Sequence, residues 1–133
     1  MNKIYSKGLT LSELLLAVAI LVFVLCGLLV LFINCLFLNE ANRNLSLSIS
    51  HAQYVMEEIK NTYFSEIKAN IDNGDWDLAS ADITANGLTA LTNEAIDTSH
   101  GLNDNPLEVV VNVQWEDRLQ RPRQAELRTL ITR

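Results

Sequence analysis

Twenty consecutive residues, Leu14 to Ile33, carry neither a charge nor a polar side chain. As a helix rising 1.5 Å per residue, such a run covers about 30 Å, the thickness of a bilayer's hydrocarbon core. After Asn34 the apolar character resumes over Cys35-Leu36-Phe37-Leu38. Setting aside Met1 to Leu38 leaves 95 of the 133 residues. That remainder is enough for a small outer domain with a modest core, and too little for an enzyme with a deep pocket.

The segment before the span, Met1 to Gly8, contains Lys3 and Lys7 and no acid. A basic flank keeps its end of a membrane helix in the cytoplasm, so the rest of the chain is expected to face outward. Beyond the span, Leu45, Ile49, Ala52, Met56, Ile59, Tyr63 and Ile67 recur at steps of mostly four and three. That spacing forms one apolar stripe, separated by Ser, Gln, Asn, Glu and Lys on the solvated side. No proline interrupts the chain before Pro106, and one helix is predicted from Leu9 to Ala69. Asn70, Asp72, Asn73 and Gly74 supply helix-stop chemistry.

Residues 70–106 have weak periodicity and read as a loop, with one short helix near Ala90–Ile96. Val109, Val111, Val113 and Trp115 then alternate with Val110, Asn112 and Gln114, the pattern of a half-buried strand. Ala125, Leu127, Thr129 and Ile131 mark a second strand, with Glu126, Arg128 and Thr132 facing the other way. Pro122 lies in the polar connection between them and cannot donate to a ladder. The predicted fold class is α+β, a long helix carrying a small antiparallel sheet. The predicted divisions are 9–38 for the membrane half of the helix, 39–69 for its amphipathic half and 70–133 for the loop and sheet.

Charge is unevenly distributed along the chain. Ten acids and no Lys or Arg lie between Lys68 and Arg118, and five of the ten basic residues fall at or after Arg118. A solvated acidic loop beside a basic hairpin accounts for this. No basic patch joins an aromatic platform, so nucleic acid is not an expected partner. Cys26 and Cys35 would sit about 13 Å apart along one helix, too far to bridge, and read as small apolar residues.

Asp72-Asn73-Gly74-Asp75-Trp76-Asp77 offers the oxygen ligands calcium prefers, which makes Asp72, Asp75 and Asp77 a weak calcium candidate. The EF-hand spacing is not met, and the plainer reading is an acidic loop that ends a helix. His51 and His100 have no neighbouring cysteine or second histidine, and read as surface or packing residues. No nucleophile elbow, phosphate-binding glycine loop or H-E-x-x-H occurs. Neither catalysis nor a cofactor is expected.

The informative stretch is Lys7-Gly8-Leu9-Thr10-Leu11-Ser12-Glu13-Leu14-Leu15. A carboxylate at the centre of a span costs roughly 2.5–3.5 kcal/mol on insertion scales, and less near its end. Glu13 is therefore a functional candidate in need of a cation, and no cation lies near it on its own helix. This stretch resembles the cleavage and methylation signal of type IV prepilins and pseudopilins. The resemblance implies residues 1–8 as a leader, with Lys3 and Lys7 as its basic residues. It also implies a cut between Gly8 and Leu9 by prepilin peptidase, and methylation of the new Leu9 amine. Glu13 then holds the place of the family's glutamate, which is thought to neutralise the terminal amine of a neighbouring subunit during assembly.

Leu9 replaces the commoner phenylalanine, and the span lacks the proline of many major pilins. The amphipathic continuation and the strand ending in Trp115 are similar to those of V-type minor pilins and I-type minor pseudopilins. What this implies is a membrane-stored structural subunit with its amino end in the cytoplasm and its outer domain across the inner membrane. Its expected partners are prepilin peptidase, other pilin or pseudopilin subunits and an inner-membrane assembly platform. The alternative reading is a single-pass membrane-anchored binding module that never polymerises.

Overall fold

The computed structural model describes residues 10–133. Its elements are α1 (Leu11–Lys60), α2 (Phe64–Asn73), β1 (Leu78–Ala79), α3 (Ser80–Ala85), β2 (Ala95–Asp104), β3 (Leu107–Glu116) and β4 (Pro122–Ile131). The chain forms two compact units that divide between Glu40 and Ala41, within α1. In the first unit α1 is long and apolar enough to cross a membrane. Its side chains from Leu14 to Leu38 are exposed all round, as expected where lipid rather than protein would cover them.

The second unit is a mixed α+β domain built on a four-stranded antiparallel sheet in the order β1-β2-β3-β4. β3 supplies the centre of its core. Leu107, Val109, Val111, Val113 and Trp115 are buried along one face, as the alternation predicts. β4 pairs with β3 at every position from Leu107↔Ile131 to Glu116↔Pro122. This confirms the predicted hairpin and places Ala125, Leu127 and Ile131 against the core. Pro122 opens β4, where a missing donor costs the ladder little.

The predicted helix from Leu9 to Ala69 is corrected: α1 ends at Lys60, and α2 begins after a break. The break is chemically local. Asn61 N shares the carbonyls of Glu57 and Glu58, Thr62 N bonds to Ile59 O, and the Thr62 hydroxyl donates to Glu58 O at 3.1 Å. These bonds satisfy the last carbonyls of α1 and tighten its final turn. Tyr63 then adopts an extended conformation and turns outward, 79% exposed. The new direction lets Ile67 and Ile71 of α2 join the core. α2 ends at Asn73, four residues beyond the predicted Ala69, on Gly74 of the helix-stop stretch. Gly74 takes the left-handed conformation, with Gly74 N bonding to Ile71 O and Asp75 N to Asn70 O, a Schellman cap.

Two further corrections concern residues 70–106. The short helix is α3, not Ala90–Ile96, and Ala95–Asp104 is the ten-residue strand β2. β2 has no apolar alternation because Ile96 is its only fully buried side chain. Its conformation follows from pairing with the valine-rich β3, a partner that lies across the turn at Asn105-Pro106. The stripe on α1 is also displaced. Ser48, His51, Ala52, Val55, Met56 and Ile59 are buried, while Leu45 and Ile49 remain about 40% exposed.

Candidate functional site

The first helical turn of α1 is held by a reciprocal cap. Thr10 N and Thr10 Oγ1 each donate to Glu13 Oε2 at 2.9 Å, and Glu13 N approaches Thr10 Oγ1 at 3.4 Å. This is the Thr-x-x-Glu capping box, in which two residues satisfy each other's otherwise orphaned groups. It also sets the carboxylate at the positive end of the helix dipole. Glu13 therefore has hydrogen-bond donors within its own chain, where the sequence alone points to a cation. Gly8, Leu9, Lys3 and Lys7 lie outside the described residues.

In the second unit, the acidic loop does not converge on one point. Asp72 Oδ1 lies 3.0 Å from His100 Nε2. Asp77 Oδ1 accepts from Thr98 N at 2.8 Å and from Thr98 Oγ1 at 2.9 Å. The three carboxylates Asp72, Asp75 and Asp77 are thus not presented as a ligand set. Among the described residues, no group of three or more His, Cys, Asp and Glu is placed to hold a metal ion. His100 Nδ1 donates to the Gly101 carbonyl at 2.8 Å. That bond, and then the one to Asp72, raise the His100 pKa above its ordinary value.

A buried polar pair escaped sequence reasoning. His51 Nδ1 lies 2.6 Å from Glu94 Oε1, and both side chains are withdrawn from solvent. The second oxygen, Glu94 Oε2, accepts from Leu91 N at 2.6 Å, and the Glu94 carbonyl accepts from Ser80 Oγ at 2.8 Å. Glu94 thereby ties α1, the 88–94 segment and the start of α3 together. Among the described residues, His51 Nε2 has no hydrogen-bond partner. His51 neighbours the apolar stripe, but nothing in the sequence pairs it with an acid 43 positions away.

Asp117 organises the β3–β4 connection. It accepts from the backbone of Arg121 and Leu119 and from the side chains of Arg121 and Arg123. These donors, led by the Arg121 backbone, hold its carboxyl well below the usual carboxylate range. Arg43, Ser46, Leu47 and Ser50 of α1 line an open groove of about 480 Å³ with Thr89. Its lining residues include one arginine and three hydroxyl-bearing residues, and no nucleophile–base pair is among them. No family model, no curated protein and no solved structure matches the chain.

Proposed function

We propose that the chain is a minor pilin or pseudopilin. In this reading it is a structural subunit stored in the inner membrane, cleaved and N-methylated by prepilin peptidase, and built into a type IV pilus or a type II secretion pseudopilus. The observation that carries the reading is the contiguous run Lys7-Gly8-Leu9-Thr10-Leu11-Ser12-Glu13, set directly against the apolar span. A generic membrane anchor needs only the basic flank and the apolar residues. It does not require a glutamate at the mouth of the span, although the Thr10–Glu13 cap gives this one a local role as well.

The chemistry of assembly follows from that glutamate. Cleavage after Gly8 creates an α-amine that ordinarily titrates at about 7.7–8.0, and so is largely protonated at neutral pH. Within a bundle of apolar helices, either charge alone is strongly disfavoured, while a matched pair is tolerated. Glu13 of one subunit and the Leu9 amine of another form that pair. The α+β outer unit is compatible with a pilin-like subunit, in which a helix carries an antiparallel sheet.

Intact-mass analysis of the membrane-extracted protein tests the proposal. A mature chain beginning at Leu9 with an N-methyl group is expected. A chain that still begins at Met1, in a host possessing the peptidase, overturns it.

A further inference from the structure

The sheet has two edges, and they are treated differently. On the β2 side, β1 pairs with Ala95 and Ile96, and the Asp77 carboxylate occupies the Thr98 backbone N–H. On the other side β4 presents ten residues, paired without a bulge to β3 and, among the described residues, to nothing beyond. In an antiparallel strand, alternate residues direct their N–H and C=O groups away from the inner neighbour, so β4 offers an unfilled ladder. Pro122 protects only its first position.

The sequence of β4 is complementary to itself. A two-fold axis normal to a sheet preserves which face each side chain occupies, so a strand meeting its own copy pairs only residues of like parity. An axis at Glu126 sets Glu126 against itself, and one at Arg128 sets Arg128 against itself. An axis at Leu127 instead sets Glu126 opposite Arg128 of the second copy, and Arg128 opposite its Glu126. Gln124 then faces Leu130 of the second copy, and Ala125 faces its Thr129. Within one chain Arg128 already meets Glu126 and Glu108, and because like charges directly opposite oppose pairing while unlike charges favour it, the axis at Leu127 is the one of these three that keeps each charge beside an opposite one across the seam. Leu130, 64% exposed in the single chain, gains a neighbour there.

We propose that β4 is a docking edge for a second copy of this chain. The two strands run antiparallel about an axis at Leu127, and the two four-stranded sheets become one. This contact does not depend on cleavage after Gly8.

Disulfide trapping in the full-length protein in membranes tests it, with Cys26 and Cys35 replaced by Ala. Gln124→Cys and Leu130→Cys alter exposed side chains and leave the core intact. Co-expressed with different tags, they are expected to form a mixed disulfide dimer on oxidation, several-fold above either variant with itself. Glu126→Arg should reduce that dimer several-fold, and adding Arg128→Glu should restore it. Absence of the mixed dimer overturns the proposal, as does equal trapping of Gln124→Cys with itself. Failure of the charge reversal to restore trapping overturns the register.

Discussion

His51 on α1 and Glu94 at the threshold of β2 meet at 2.6 Å in the interior of the second unit, both nearly inaccessible to water. This is a polar contact beside the apolar stripe, at a histidine that the sequence places only as a surface or packing residue. Because Glu94 also receives the Leu91 N–H and, through its carbonyl, the Ser80 hydroxyl, the pair fixes the path of the chain between α3 and β2. Burying ionisable groups is costly unless each is matched, so the contact favours one arrangement more than it favours stability itself.

A double-mutant cycle measures this relationship. His51→Leu leaves the Glu94 carboxylate buried with one donor fewer, and is expected to cost about 3–5 kcal/mol in chemical denaturation. Glu94→Leu also strands the Leu91 N–H. His51→Leu combined with Glu94→Leu should cost less than the two single changes added together, with a coupling of about 0.5–3 kcal/mol. Strict additivity would show that the two side chains do not act as a pair.

The His100–Asp72 contact makes stability depend on pH with a definite sign. The His100 pKa is raised in the folded chain, so the protonated form is bound more tightly there than in the unfolded chain. Its contribution is complete below the ordinary histidine value of 6.5 and is lost as pH rises through the folded value. Asp72→Asn should therefore destabilise the protein on the acid side and make little difference on the alkaline side. The His100 titration midpoint, followed by NMR, should fall in the same variant. A destabilisation equal at both pH values would remove the role of the charged pair.

Glu13 has two possible duties, and the capping geometry separates them. Glu13→Gln keeps an oxygen able to accept from Thr10 N and Oγ1 while deleting the charge, whereas Glu13→Ala removes both. If the carboxylate pairs with a neighbouring amine, both variants insert and are cleaved but fail to assemble, as crosslinking to partner subunits would report. If its only duty is the cap, Glu13→Gln assembles as well as the parent, while Glu13→Ala frays the first turn at a cost of about 0.5–2 kcal/mol.

The sequence by itself determined the features whose signal is carried by neighbouring residues. The apolar run from Leu14 fixes a helix suited to a membrane, because twenty successive side chains demand the same surroundings. The alternation from Leu107 to Trp115 fixes a half-buried strand, and Gly74 fixes the end of α2, because both are written in local periodicity or in one backbone conformation. The tertiary structure decided what depends on distant partners. β2 extends because β3 lies beside it, not because its own residues alternate. The turn at Asn61–Tyr63 interrupts a stripe whose spacing would have continued unbroken, and so delivers Ile67 and Ile71 to the core. Asp72 and Asp77, which look like one acidic cluster, are drawn apart by His100 and Thr98. For β2 and for the two aspartates, partners well outside the local segment outweighed the local preference, because a buried or paired group is stabilised by whatever the fold brings to it.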